Sequence, residues 1–352
     1  MRKAAVLGAG FIAGFHADGY LRLPDVQLCG ICDQDENKAA AMVDKYHCAA
    51  YLDAMDLLER EKPDLVSVCL PTFLHAPYTV AALESGAHVL CEKPMALTME
   101  ACEEMHQAMQ RTHRTLMIGQ VLRWWPEYIT IREEKKRMGI PRYIRCQRLQ
   151  HSSREGWFMQ PNQGGGALFD LLVHDLDYAC FLMEGMPRIL SADGHRGKEG
   201  SWRRVSVSMA WDHGTYAHLE ACNCMPGGYP FTAGFHMEYE NSALDYSFRA
   251  PVNIQKDAPT RSELLLFDKG SAHSLPVENN AQSIAFNNEI AAFVRSAGSS
   301  GSESMIEDNL NVMKLIHQIK ARSFARLRQY SPEEYFVFRR QIHTAAESDH
   351  PV

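Results

Sequence analysis

Gly8-Ala9-Gly10-Phe11-Ile12-Ala13 follows a short apolar run at residues 4–7, and a helical pattern continues from it to about Leu21. The stretch reads G-x-G-x-x-A. The first glycine permits a tight turn, and the second lets a pyrophosphate approach backbone N–H groups at a helix N-terminus, where the dipole favours anions. The motif alone is weak; its setting gives it force. Asp33 lies about 20 residues beyond Ala13, at the end of an expected strand Val26–Cys32. Its carboxylate can accept hydrogen bonds from both adenosine ribose hydroxyls and would repel a 2′-phosphate, so NAD is expected over NADP. Lys38 lies near enough to keep NADP open. Gly8, Gly10, Phe11, Ile12 and Asp33 are therefore the expected dinucleotide contacts.

Strand and helix alternate onward from this start. Asp35 caps a helix to about Lys45; strands are expected at 65–70, 87–91 and 115–120, and a helix at 98–111. Pro77 just inside one helix and Gly86 just past its end show the usual start and stop asymmetry. Repeated strand–helix units predict a mainly parallel, doubly wound α/β sheet over residues 1–121. The rhythm then changes. Longer strands are expected at 142–152, 201–212, 215–225 and 233–240. Val205, Val207, Met209 and Trp211 alternate with polar residues as in a half-buried antiparallel strand. Residues 122–352 are read as an α+β domain with an open, mainly antiparallel sheet. One helix is expected from Gly166 to about Met183, a capping box at Ser304 and Glu307, and a last helix from Ser331.

Composition sets the class. The 352 residues are 46% hydrophobic and 22% charged with net charge −7, which suits a globular enzyme of two domains and gives no nucleic-acid footprint. The basic run around Arg132, Lys135, Lys136 and Arg137 is broken by Glu133 and Glu134 and reads as a solvated helix face. No leader precedes the first strand, and no apolar run approaches ~18 residues, so neither secretion nor a membrane span is expected. The ten cysteines are scattered. Cys29 and Cys32 fall within a strand, where period 2 would place them on opposite faces; Cys222 and Cys224 share a strand face without a second ligand pair. Both pairs are expected as buried free thiols, no metal site is expected, and reduced cysteines suit the cytoplasm.

Two motifs carry the chemistry. Pro71-Thr72 with His75, and Glu92-Lys93-Pro94, leave strand ends of the kind that line a ligand crevice. Thr72, His75, Pro71, Glu92 and Lys93 are the expected further cofactor contacts. Gly164-Gly165-Gly166 opens a helix carrying Asp170 and His174 at i and i+4, on one face. An ammonium, a carboxylate and an imidazole are what an enzyme needs to remove an alcohol proton while a cofactor takes the hydride. Asp177, at i+3 from His174, is a second possible orienter. Trp124, Trp125, His151, Arg154 and Trp157 flank the expected cleft. Aromatic faces stack on sugar C–H faces and Arg or His can bond hydroxyls, so Trp125, His151, Arg154 and Trp157 join Lys93, Asp170 and His174 as expected substrate contacts.

The chain resembles the glucose-fructose oxidoreductase and inositol dehydrogenase-like oxidoreductases. The resemblance runs through the Gly8 fingerprint, the stretch from His88 to Pro94, and Trp157-Phe158 through the three glycines to His174-Asp175-Leu176-Asp177. It implies a Rossmann domain followed by an α+β domain, and a catalytic set of Lys93, Asp170 and His174. It also implies a cis Lys93–Pro94 bond. Leu70-Pro71-Thr72 departs from the family's usual Thr-Pro, which blurs which atoms meet the nicotinamide. The implied reaction is hydride transfer between NAD(P) and a secondary alcohol of a sugar, cyclitol or related polyol. An NAD-dependent glycosidase using redox and elimination on the same fold is the rival reading. A sheet face bearing Tyr216, His218, Cys222 and Cys224 reads as too apolar for simple exposure, which predicts a homodimer or homotetramer through this sheet.

Overall fold

The structure is a computed structural model that describes residues 1–151, 156–251, 260–299 and 302–327. Its first sheet contains β1 (Arg2–Leu7), β2 (Val26–Cys32), β3 (Ala49–Tyr51), β4 (Leu65–Val68), β5 (His88–Glu92) and β6 (Leu116–Gly119), in the order β3-β2-β1-β4-β5-β6. Every pairing in it is parallel. Ala4, Ala5, Val6 and Leu7 are buried, as expected of a central strand covered on both faces by helices. Those helices are α1 (Phe11–Leu21), α2 (Glu36–Tyr46), α3 (Ala54–Glu61), α4 (His75–Glu84) and α5 (Met99–Thr112). Side chains of Asp35, Asp53 and Thr98 accept N–H groups at the starts of α2, α3 and α5, satisfying donors that helix ends leave open.

The second sheet has eight strands: β7 (Tyr143–Leu149), β8 (Arg188–Arg196), β9 (Trp202–Ala210), β10 (Tyr216–Cys222), β11 (Phe231–Glu238), β12 (Ser242–Ala250), β13 (Arg261–Asp268) and β14 (Ser271–Leu275). Their order is β14-β13-β12-β11-β7-β10-β9-β8, and only β7 and β10 pair in parallel. Helices α6 (Pro126–Met138) and α7 (Val173–Met183) belong to this half. Ile144, Cys146, Leu219 and Ala221 share one core with Leu172, Leu176 and Ala179. The chain then returns to the first layer. In α8 (Ala281–Ser296), Ile290, Phe293 and Val294 pack with Ala13, Ala17 and Tyr20 of α1. The last described helix, α9 (Ser302–Leu327), ties to β6's exit through Gln120 Nε2, which donates to Asn309 Oδ1 at 2.8 Å. The second sheet begins after residue 121, with β7; α8 packs on α1 of the first layer, whereas α9 runs between the two halves, against β6 and α5 on one side and β8 and α7 on the other.

Several local expectations change. β3, β8, β12 to β14, α3 and α8 are additional elements, and α6 is the helix whose solvated face carries the basic run. The helix from Gly166 is interrupted: Leu168–Leu172 forms a π turn before α7 begins. α9 is already helical at Ser302, so Ser304 lies inside it rather than at its cap; the helix expected from Ser331 lies outside the described residues. Cys29 is the extra residue of a bulge between β1 and β2, since Ala4 pairs with Leu28 and Ala5 with Gly30. The bulge cancels the period-2 alternation, so Cys29 and Cys32 enter the same core cluster rather than opposite faces. Both are free, Cys29 Sγ donates to the Ala4 carbonyl, and burial raises their pKa values to about 11 and about 12. Cys224 is exposed, not buried as expected, with its sulfur 3.5 Å from Cys222 Sγ. No helix among the described residues is long and apolar enough to cross a membrane.

Candidate active site

The carboxyl ends of β1, β2, β4 and β5 meet along one crevice. Gly8, at φ 103°, needs its missing side chain for an internal reason: a Cβ there would lie 2.5 Å from the Cys69 carbonyl oxygen. Gly10 is different. It precedes α1, makes no side-chain cap, and a Cβ on it would meet no protein atom within 4 Å. The open N-terminus of α1 therefore faces free space, which fits a pyrophosphate. Phe11 is 72% exposed at this rim and sits edge-on to Phe15 at 5.3 Å, while Ile12 packs partly against the Val121–Phe286 cluster.

Asp33 follows β2. Its Oδ2 accepts the Ala9 N–H at 2.8 Å and its Oδ1 accepts the Asp35 N–H at 2.9 Å. The carboxylate is thereby tied to the glycine turn, and its further lone pairs can accept ribose hydroxyls. Lys38 Nζ is 3.5 Å from Asp35 Oδ2. Its charge is directed to that neighbour.

Pro71 leads into the short 3-10 turn Thr72–Leu74, with Thr72 buried. His75 begins α4 with its ring turned inward: Nδ1 lies 2.8 Å from the Pro94 carbonyl and Nε2 2.8 Å from the Leu70 carbonyl. Carbonyl oxygens only accept, so two real bonds require both ring nitrogens to carry hydrogen, whereas burial lowers the pKa and favours the neutral ring. Either way the imidazole is committed to bracing the two crevice loops. Glu92 also turns inward, its Oε1 3.0 Å from His16 Nε2 and its Oε2 accepting the Lys93 N–H at 3.2 Å.

Lys93 begins a cis bond to Pro94. Its Nζ donates to Asp170 Oδ1 and to the Asp170 carbonyl, both at 2.9 Å. Asp170 lies in the π turn Leu168–Leu172, an irregularity found often at functional sites. The approach to that turn is very close. Gly166, at φ 70°, bridges to Trp202, and a Cβ on it would lie 2.3 Å from the Trp202 carbonyl oxygen. Phe73 N–H donates to the Gln163 carbonyl at 3.2 Å, joining the glycine loop to the turn after Pro71.

His174 stands one turn on. Its Nδ1 is enclosed and has no hydrogen-bond partner. Burial holds its pKa well below the ordinary imidazole value, and the charges of Lys93 and Arg148 push it the same way. The imidazole is therefore neutral near pH 7 and able to accept a proton. Its neighbours in sequence are not orienters. Asp175 is bound by Arg148, with Nη2 to Oδ1 at 2.8 Å and Nε to Oδ2 at 3.2 Å. Asp177 corrects the expectation that it could orient His174: Arg123 holds both its oxygens, at 2.9 and 2.6 Å. A basic partner from β7 or the turn after β6 has no sequence mark, because only the tertiary fold brings it there.

Around this set, Trp157 stacks on Phe158 with centroids 3.7 Å apart. His151 pairs with Cys224 in an isolated bridge, its Nδ1 2.8 Å from the Met225 carbonyl. Trp125 packs edge-on to Phe248 at 5.9 Å and joins two core clusters, so packing accounts for it. Arg154 lies outside the described residues.

Residues 2–120 match the oxidoreductase family with an NAD-binding Rossmann fold, and residues 132–241 match the same family's C-terminal domain. The chain belongs to the Gfo/Idh/MocA oxidoreductase family. Among its relatives, the D-glucoside 3-dehydrogenase of Escherichia coli (strain K12) is 32% identical over 61% of this chain and 63% of its own length. The UDP-N-acetylglucosamine 3-dehydrogenase of Acidithiobacillus ferrooxidans is 29% identical over 62% of this chain and 66% of its own. The matches thus span less than two-thirds of these relatives. The Actinomadura kijaniata 3-ketoreductase KijD10 shares the fold at TM-score 0.79 and 20% identity, covering 91% of this chain and 97% of its own.

The Gfo/Idh/MocA assignment makes NAD(P) the cofactor, and the free Gly10 side of α1 and the anchored Asp33 carboxylate suit it. Asp33→Ala is expected to narrow the preference for NAD over NADP. Kinetics with both cofactors check this, and a kcat/KM higher with NADP for the unmutated chain would refute the role of Asp33.

Proposed function

We propose that this chain is an NAD-dependent dehydrogenase acting on a ring secondary hydroxyl of a sugar or cyclitol, with the 3-hydroxyl of a glucoside-type pyranose as its first candidate. The convergence of Lys93, Asp170 and His174 at the crevice carries the reading. Two relatives named as 3-dehydrogenases of glucose-type sugars support the position. NAD(P), held by the crevice residues, would supply the hydride acceptor. His174, neutral and half-buried, takes the hydroxyl proton. Lys93, held in place by Asp170, donates to the developing alkoxide and stabilises its charge. The Trp157–Phe158 stack offers an aromatic wall to the C–H face of a sugar.

A panel of methyl glucosides, UDP-N-acetylglucosamine, free aldoses and inositols, followed by NADH absorbance, tests this. NADH formation with a pyranoside, and a 3-keto product by NMR, are expected. Glycoside cleavage without NADH would establish the glycosidase reading instead, and no turnover of any polyol would refute the proposal.

We also infer a homo-oligomer in the cytoplasm. All ten cysteines are free, which suits a reducing compartment. The outer face of the second sheet is more polar than the sequence suggested. Cys222 is buried, and the face instead carries stacked Tyr143 and Tyr216 at 5.7 Å, an Arg204–Glu220 ion pair, and His236 between Asp245 and Glu238, each at 3.0 Å. Tyrosines within a charged network suit a subunit interface with a polar rim. Light scattering at micromolar concentration is expected to give a dimer or tetramer mass; the mass of a single chain would refute it.

A further inference from the structure

We propose that His16, Glu92 and Glu289 form a buried site for one divalent cation of the Zn²⁺ or Mn²⁺ kind, directly beneath the turn that carries Lys93. The three side chains come from α1, β5 and α8, and are 0%, 8% and 0% exposed. One donor atom from each lies within 4.8 Å of the other two, and His16 Nε2 is 3.0 Å from Glu92 Oε1.

Glu289 is what calls for a ligand. Both its carboxylate oxygens are enclosed and no donor reaches either. A buried carboxylate without a partner is costly. The neighbouring cations are already used: Arg123 on Asp177 and on Asp308 at 3.3 Å, and Lys93 on Asp170. Glu289 makes no ion pair with His16, yet its ligand atom lies within 4.8 Å of those of His16 and Glu92, close enough for one intervening atom to draw all three together. Two metal–ligand bonds of about 2.1 Å set their ligand atoms roughly 3–4.2 Å apart.

The imidazole is already oriented for this. His16 Nδ1 lies 2.8 Å from Ser67 Oγ, which lies 2.8 Å from the Tyr20 hydroxyl. With its hydrogen on Nδ1 donated to Ser67, the ring presents the Nε2 lone pair to the cluster, the arrangement that metal-bound histidines use. One imidazole and two carboxylates suit a borderline-hard dication. Two carboxylates and a dication also sum to zero charge in a site closed to water. A proton on Glu289 is the competing solution, since burial raises its pKa well above the ordinary carboxyl value. The cation does more than neutralise. Through Glu92, whose Oε2 accepts the Lys93 N–H, it fastens α8 and α1 to the base of the catalytic turn. The site is independent of the substrate reading.

The full chain, expressed with zinc and manganese supplied and then desalted against a mild chelator, is to be analysed for metal, with thermal melting alongside. About one cation per chain is expected. Glu289→Gln, close to isosteric, and His16→Asn should each lower retention by roughly tenfold or more and abolish the rise in Tm on adding Zn²⁺ or Mn²⁺. Circular dichroism shows which variants are folded, and either folded variant suffices. Metal retained undiminished in both would place it elsewhere, such as at Cys222 and Cys224, and overturn the proposal. An unmutated chain that holds no metal and gains no Tm from either ion would also overturn it, leaving Glu289 as a protonated acid.

Discussion

Replacing His174 with alanine is expected to lower kcat by about 10²–10⁴ while NAD still binds. The imidazole belongs to α7 and not to the Gly8–Gly10 turn between β1 and α1, so its loss is expected to remove the proton acceptor and not the cofactor site. Lys93→Ala should be severely impaired as well. The two losses should not add, because both groups serve one hydroxyl. The acid limb of kcat/KM gives a further mark. Burial, Lys93 and Arg148 all favour the neutral ring of His174, so its folded pKa lies below the ordinary value of about 6.5. The base therefore stays unprotonated as pH falls through 6.5, and activity should persist below that point. The sign for stability is opposite in consequence: the unfolded chain takes up a proton that the folded one refuses, so stability falls as pH drops below 6.5. Steady-state kinetics and calorimetric NAD titration decide it. A His174→Ala enzyme with near-full kcat on its substrate would make His174 a packing residue.

What could be read in the sequence was local. The glycine turn and Asp33 belong to one βαβ unit of short range, and the strand–helix rhythm that continues from it matches the observed parallel sheet. Lys93, Asp170 and His174 could be grouped by the chemistry of their two motifs and by family resemblance, but their contact could not be read, since 77 residues separate the lysine from the aspartate it holds. Three kinds of feature were hidden. The π turn at Leu168–Leu172 has no periodic signature; it shows in the close approach of Gly166 to Trp202, a contact between distant segments. The bulge at Cys29 defeats period 2 because register belongs to the pair of strands and not to one. The inward turn of Glu92 and His75 depends on what lies behind them, and Glu92 faces a histidine 76 residues earlier. The cofactor crevice is thus written in neighbouring residues, while the charges that tune it arrive from remote ones.

Arg148→Ala is expected to cost about 3–5 kcal/mol, the range for breaking a buried ion pair from one side. Arg148 reaches from β7 to Asp175 with two hydrogen bonds, and the two side chains are 7% and 0% exposed. Without the guanidinium, Asp175 is left in an apolar core with no counter-charge. Burial already raises its pKa, and Arg148 opposes that rise. In the variant the pKa climbs further, so the folded state holds a proton that the unfolded state has lost. Stability then increases as pH is lowered from neutral, and part of the loss should be recovered in mild acid. The double variant Arg148→Met with Asp175→Leu should recover most of it at any pH, because it removes both charges and fills the space. Removing Arg148 also withdraws one of the charges that hold His174 neutral, so the acid limb of kcat/KM should move up in whatever fraction remains folded. Urea unfolding across pH, with kinetics on the same samples, tests both effects. A single variant within ~1 kcal/mol of the unmutated chain at neutral pH would show that Arg148 does not carry the charge of Asp175.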